Sequence, residues 1–528
     1  MQLRNNPSTP IVPSSAVEPS VLQKWTEEVE KARVNLGIQG LTVAVVHKGT
    51  IIFTKGFGKR NDTEPCTPET LMPIASLTKA FTAAAVGELV GDNKAKWEGV
   101  PVNEYLPEFR VKDPALTREI TFVDMLSHRS GIPPLDLQWY HRKESRIDLI
   151  KQMNIVEAEA PVRSKYNYNN TMVAVAGEAA ARIAGTTYEQ LVLDRVVRPL
   201  GMRETGFTNA TLLTRPNHAL PYMCKSFKDA QMGRNQRLEM DKFIDADLPA
   251  GGLHSNVIEL ANWARAMIND GELDGVQILN KESCQTIKSA YNIVHRTPRS
   301  QEFGITAYGL GWGIDHYKGH QTIQHSGGLP GFRTHMSVFP NDDFAVIALT
   351  NDAFNECARM LSFYFADRVL GLPTTRDWLF DVAVSETEKE YKDAGLEDPD
   401  GVPSSFPPQI KDKPTKRGLE EFVGEYTHPS YGKITIEVSN EEGRGREAGA
   451  EDNKSCPLNF SLNCIQGQLR HYHYDTFFYS SVAQTGLQLA FLLTFIPGDD
   501  GSIQECRFLD DPKYIYFARV TPNVDDSN

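Results

Sequence analysis

MPIASLTKAFTAAAVGELV, residues 72–90, is rich in strong helix formers from Ser76 onward and predicts a helix over Ser76–Val90. Positions i and i+3 share a helix face, so Lys79 stands one turn beyond Ser76 with its amine able to reach the Ser76 hydroxyl. The amino end of the helix adds backbone N–H groups and a partial positive charge. A serine is a weak nucleophile at neutral pH and needs a base beside it. A lysine serves when burial or neighbouring cations disfavour its ammonium form. Alone, S-x-x-K is a common pattern that also describes a helix cap followed by a solvated lysine. Its weight comes from the rest of the chain.

Two further elements follow in order. Tyr168-Asn169-Asn170, within KYNYNNTMVAVAG, sets a phenol and an amide two residues apart, just before an apolar helix predicted over Met172–Ala184. TIQHSGGLPGF then places His325-Ser326-Gly327-Gly328 at the end of a strand, with glycines that let a ligand approach the backbone closely. In order and spacing, the three elements resemble the S-x-x-K, Y-x-N and K-T-G boxes of class C β-lactamases, D-Ala-D-Ala carboxypeptidases and related esterases. The likeness runs from Glu18 to Leu370 through LTVAVVHKGTIIFTKGFG, VPVNEYLPEF, ITFVDMLSHRSGI, RPLGMRETGF, PAGGLHSNVIELANWA and YGLGW. EEFVGEYTHPSYGKITIEV and LRHYHYDTF are similar to the lipocalin-like β-domain appended to some members of that family.

The resemblance implies a role for each matching residue. Ser76 is the acylated nucleophile and Lys79 its immediate proton acceptor. Tyr168 is the second base or the activator of the incoming water or alcohol, and Asn170 orients the substrate carbonyl side and Lys79. His325 takes the K-T-G lysine place, touching the Tyr168 hydroxyl or the substrate, or else it is a strand-end histidine bound to a backbone carbonyl. Ser326 and Gly327 line the substrate, and the N–H groups of Ser76 and Gly328 form the oxyanion hole. Histidine for lysine is the main departure. A permanent cation suits a substrate carboxylate, whereas a histidine is mostly neutral near pH 7. This favours an esterase, amidase or acyltransferase working on an uncharged acyl donor.

Three functions are therefore carried forward: a serine hydrolase cleaving an ester or amide of a small molecule or short peptide, an acyltransferase to an alcohol or amine, and a non-catalytic binding protein on the same fold. No metal or cofactor is expected. His471 and His473 lie two apart on a predicted strand, where two imidazoles can share a face, but no third ligand accompanies them and stacking is the favoured reading. His128 and Ser130 read as a helix end stopped by Gly131 and Pro133. There is no G-x-S-x-G elbow, H-E-x-x-H or phosphate-loop pattern.

Outward from these boxes the chain divides. Residues 1–17 read as a disordered tail, 18–384 as the catalytic domain, 385–417 as a charged, proline-bearing linker and 418–528 as a lipocalin-like β-domain. The fold class is α/β (α+β): an antiparallel sheet flanked by helices, with an all-helical lobe and a C-terminal all-β barrel-like module. Lys48-Gly49 between two β-branched runs marks a hairpin, and strands at Tyr308–Asp315, Gln321–His325, His335–Phe339 and Phe344–Thr350 must return beside it. Further helices are expected at Val21–Val34, Phe122–Ser127 and Tyr188–Pro199, and a hairpin loop at 441–455.

A net charge of -13 over 528 residues argues against a phosphate-backbone surface, so no nucleic acid is expected and small molecules are the partners. The first twenty residues carry no apolar signal core, and no apolar run is long enough to span a bilayer, so no membrane partner and a cytoplasmic location are expected. Seven scattered cysteines without a C-x-x-C pair predict reduced thiols.

Overall fold

In a computed structural model, the described residues are 17–136, 142, 144–240, 248–398, 401–439, 458–462, 465–481, 489–510 and 513–520. The hairpin forms as its turn requires: β1 (Gly40–His47) and β2 (Thr50–Gly58) meet at Lys48 and Gly49, with φ of 51° and 73°. Late strands complete the sheet. They are β3 (Asn292–His295), β4 (Thr306–Tyr308), β5 (Gly313–Tyr317), β6 (His320–Leu329), β7 (Phe332–Phe339) and β8 (Phe344–Thr350). The order is β3-β4-β5-β6-β7-β8-β1-β2, every neighbour is antiparallel, and β8 returns beside β1.

Alternation along β1 gives the sheet two apolar faces. Ala44 and Val46 join one core and Leu41, Val43 and Val45 the other. On the second face lie α1 (Pro19–Asn35), which buries Trp25, Val29 and Ala32, and α5 (Cys357–Val369). On the first face lies the helical lobe, built on α2 (Thr78–Gly91), α3 (Asn170–Ala184) and α4 (Val257–Ile268). Helix α2 is buried nearly all round. Phe81 stacks on Trp263 at 4.2 Å between centroids, and Ala83, Ala84 and Ala85 allow close approach of neighbouring helices.

The run Tyr308–Asp315 is two strands, because Gly309–Trp312 turns between β4 and β5. The charged segment from Ser385 also departs from expectation. A π-helical turn at Trp378–Val382 leads into α6 (Ala383–Asp393), and Thr387 and Tyr391, four apart, are buried in the second core. Lys389, Lys392 and Asp393 are exposed on its outward face while Ala383, Thr387 and Tyr391 are buried, so composition masked an amphipathic helix. The remainder, 401–417, packs on the barrel: Val402 and Phe406 fit against Tyr472 and Phe478, and Tyr472 Oη donates to the Pro407 carbonyl at 2.7 Å.

The C-terminal strands, from Gly424–His428 to Lys513–Arg519, close an eight-stranded antiparallel barrel. Its interior holds aromatic rings: Phe422 lies 4.8 Å from Phe495 and Phe491 lies 4.3 Å from Phe508. A bulge between His471 and His473 breaks their shared register, and each imidazole takes its own main-chain partner. Five cysteines (Cys66, Cys224, Cys284, Cys357, Cys506) are free and buried. The tail 1–16, the loop 441–455, Cys456 and Cys464 lie outside the described residues.

Candidate active site

Ser76 does not sit inside α2. It lies in a single 3₁₀ turn, Ala75–Leu77, immediately before that helix. Ala75 has φ of 50°, a left-handed backbone that costs a non-glycine residue of order 1–3 kcal/mol and persists only where the surroundings enforce it. They do so here. The Ile74 N–H donates to the Leu253 carbonyl at 2.8 Å, Thr334 Oγ1 donates to the Ile74 carbonyl at 3.0 Å, and Thr78 Oγ1 donates to the Ala75 carbonyl at 2.7 Å. The turn presents Ser76 half-buried at the cleft, as sequence periodicity alone does not reveal.

Lys79 follows one turn on and is fully buried. Its Nζ lies 2.9 Å from Ser76 Oγ and 2.8 Å from the Ala250 carbonyl, which accepts from it. Gly311, in YGLGW, has φ of 75°, and a Cβ there would lie 2.7 Å from the Lys79 carbonyl, so this glycine is needed for the loop to close on α2.

Tyr168 Oη lies 3.0 Å from Ser76 Oγ, and the ring centroid is 4.9 Å from Lys79 Nζ. Although half-buried by surface area, the phenol is walled in by protein, and desolvation holds its pKa above the usual phenol value. It is therefore a neutral donor at physiological pH. Asn169 caps α3 by accepting from the Met172 N–H at 2.9 Å, and its amide donates to the Ile132 and Pro133 carbonyls. The Asn170 amide donates to Asp136 Oδ1 at 3.1 Å, and the Asp136 carboxyl, whose pKa burial raises, in turn feels the Lys79 charge.

His325 is buried, but its bonds differ from those expected of the lysine place. Nδ1 donates to the Ser326 carbonyl at 2.6 Å, and Nε2 accepts from Tyr308 Oη at 2.7 Å. It thus meets the main-chain carbonyl of the second reading and contacts Tyr308 rather than the Tyr168 hydroxyl. Burial, with Lys79 nearby, lowers its pKa to about 3, so it is neutral. Ser326 Oγ lies 2.8 Å from His335 Nδ1, and His335 Nε2 lies 2.9 Å from Ser337 Oγ.

The strand β6 pairs with β5 only as far as Gln324, opposite Gly313. Residues 325–329 consequently leave an edge free, and they run beside the 3₁₀ turn. A Cβ on Gly327 would lie 2.5 Å from the Ile74 carbonyl and 3.0 Å from Ala75 Cβ, so nothing larger than glycine allows this approach. Gly328 continues the exposed edge.

Tyr308, given no site role in sequence, is the partner of His325, and His128, read in sequence only as part of a helix end, brackets Tyr168. The Asn167 N–H donates to the His128 carbonyl at 2.9 Å and the Asn169 N–H to His128 Nδ1 at 3.1 Å, while the imidazole lies 4.4 Å from the Tyr168 ring. Burial, then Lys79 and His325, keep His128 neutral, and its φ of 57° is again left-handed. The one available signal was its place in SHRSGIP beside a glycine-proline stop. Among the described residues no group of three or more His, Cys, Asp or Glu side chains could hold a metal, and no helix is long and apolar enough to cross a membrane.

A large antiparallel sheet with a helical lobe, and a serine in contact with a lysine and a tyrosine at their junction, define a class of protein that the comparisons make specific. The family model Beta-lactamase matches residues 26–366, and the chain belongs to that family. A second model, a domain of unknown function (DUF3471), matches residues 408–519. The chain is similar to unguisins hydrolase ungD' of Aspergillus campestris, at 28% identity over 83% of this chain and 82% of the relative. It is also similar to unguisins hydrolase ungD of Aspergillus violaceofuscus, at 26% over 88% and 83%. Penicillin-binding protein 4 of Amycolatopsis lactamdurans is 23% identical over 62% of this chain and 84% of its own. Among solved structures, the octameric penicillin-binding protein homologue from Pyrococcus abyssi shares the fold, with a TM-score of 0.56, 20% identity, and coverage of 95% of this chain and 100% of that one. Family membership and relatives named as hydrolases support an enzyme of serine-hydrolase type.

Proposed function

We propose that this chain cleaves an ester or amide of a small molecule or short peptide through an acyl-enzyme on Ser76. The observation that carries the reading is the meeting of Lys79 Nζ and Tyr168 Oη on one hydroxyl, at 2.9 and 3.0 Å. In its neutral form Lys79 takes the Ser76 proton as Oγ bonds to the substrate carbonyl carbon. The carbonyl oxygen gains charge beside the Ser76 and Gly328 N–H groups, each such donor being worth about 3–4 kcal/mol of barrier. The Tyr168 phenol, neutral because it is desolvated, hands its proton to the departing oxygen or nitrogen and is refilled from Lys79. Water then reverses the sequence and releases the acid.

Hydrolysis is favoured over transfer because Ser76 is half-open, so water reaches the acyl group. The neutral His325 supports an acyl donor without a carboxylate at that place. The two Aspergillus relatives are named hydrolases, which supports the same outcome. Intact-mass analysis after a fluorophosphonate tests the reading: an adduct on the native chain and none on Ser76→Ala is expected, and equal labelling of both defeats it. With activated esters and a panel of amines and alcohols, free acid is expected to exceed conjugate. The reverse result would make the chain a transferase.

A further inference from the structure

On the face of the sheet away from Ile74 and Ala75, Ser326 pairs with His335 and Gly328 with Arg333. The Arg333 guanidinium takes the space a side chain at 328 would need: a Cβ there would lie 3.0 Å from Nη1 and 3.4 Å from Cζ. A half-open cation therefore lies against the exposed Gly328, on the strand edge that runs beside Ser76. A cation in such a place draws anions. Yet Arg333 Nε lies 3.8 Å from Glu390 Oε1, and Cζ stands 5.6 Å from the Phe354 ring centroid. Glu390 reaches it from α6, where its neighbours Thr387 and Tyr391 are anchored in the second core. Burial raises the Glu390 pKa to about 7, with Arg333 opposing the rise, so the carboxylate is the counter-anion of Arg333 above that pH; Glu356 and Arg359 act on Glu390, and Asp352 on the pair, through space.

We propose that Glu390 is a specificity-determining residue: an internal counter-anion that occupies the anion position of Arg333, so that the cleft beside Gly328 accepts an uncharged substrate group and rejects a carboxylate. This rests on the acyl-enzyme reading. His325, neutral and with both ring nitrogens engaged, offers no replacement charge. A merely structural ion pair, partly exposed as this one is, would add little to stability and would leave the choice between substrates unmoved.

The test uses the full-length chain at about pH 8.5, where Glu390 is ionised, and two p-nitrophenyl alkylphosphonates of equal chain length, one ending in a methyl group and one in a carboxylate. In each, Ser76 Oγ bonds to phosphorus as p-nitrophenolate leaves, and intact mass gives the rate of labelling. The native chain should label faster with the methyl-ended probe. Glu390→Gln, which keeps shape and removes charge, should raise the carboxylate-to-methyl rate ratio roughly tenfold, the scale of one charge contact in a partly hydrated cleft. The methyl-ended rate should stay within about twofold, confirming that the variant is folded. Adding Arg333→Gln to Glu390→Gln should return the ratio to its native value. An unchanged ratio in Glu390→Gln, or a gain that survives loss of Arg333, overturns the proposal. Failure of the methyl-ended probe to label Ser76 in the native chain overturns the acyl-enzyme reading, and this proposal with it.

Discussion

Tyr168→Phe removes one oxygen, 3.0 Å from Ser76 Oγ, and leaves the ring where Lys79 and His128 pack on it at 4.9 and 4.4 Å. Loss of one buried hydrogen bond costs about 1 kcal/mol of stability, because Ser76 Oγ keeps its contact with Lys79. The catalytic effect is larger. A positioned general acid contributes about 10²–10⁴-fold, or roughly 3–5 kcal/mol of barrier. Since burial keeps the phenol protonated, its role is to protonate a leaving group, and the loss must scale with how much the leaving group needs that proton. Two esters of one acyl chain separate the cases: an alkyl ester, whose alkoxide is a poor leaving group, and a p-nitrophenyl ester, which departs without help. Stopped-flow or steady-state kcat/KM should fall at least about 100-fold for the alkyl ester and less than about tenfold for the p-nitrophenyl ester. Equal losses for both, or an alkyl-ester loss below tenfold, would refute the proton-donor role.

Other positions give sharp expectations. His128→Ala strands the Asn169 N–H, at about 1–3 kcal/mol, and should lower kcat roughly 100-fold with KM little changed; His128→Asn, whose Oδ1 replaces Nδ1 as acceptor, should recover most of it. If Asn rescues no better than Ala in steady-state kinetics, the bracket around Tyr168 is not what matters. Gly311→Ala forces a Cβ to 2.7 Å from the Lys79 carbonyl at a φ of 75°, and kcat/KM should drop by about 100-fold as Lys79 shifts. His325 has its pKa lowered to about 3 in the folded chain, so its stabilisation is complete above about pH 6.5 and is lost as pH falls from there towards 3, at about 1.4 kcal/mol for each pH unit. Urea unfolding of His325→Gln at pH 6 and pH 4 should show a fall in stability smaller than the native one by roughly 3 kcal/mol.

The fold was readable where periodicity and turn chemistry coincide. Lys48-Gly49, the apolar face of α3 and the alternation of β1 need no distant information. Ser76, Lys79 and Tyr168 could be paired from their boxes although 92 residues separate the serine from the tyrosine. What could not be read was anything set by a partner remote in sequence. The Ala250 carbonyl that accepts from Lys79 has no side-chain signature, and Tyr308 resembles any strand tyrosine. The bond from Asn170 to Asp136 shows how a polar residue at a helix start takes whichever acceptor the loop opposite supplies. Helix α6 was hidden because, from Glu386 to Asp393, only Thr387 and Tyr391 interrupt its charges.

That helix also governs where the polypeptide can be severed. A cut at residue 384, just before the charged run Glu386–Asp393, would strip Thr387 and Tyr391 from their packing and free Arg333 from Glu390. Glu397 is tied as well, accepting from the Phe227 N–H at 2.7 Å. A fragment ending before that residue should aggregate or digest rapidly under limited proteolysis, whereas one ending just past Asp398 retains every one of these anchors.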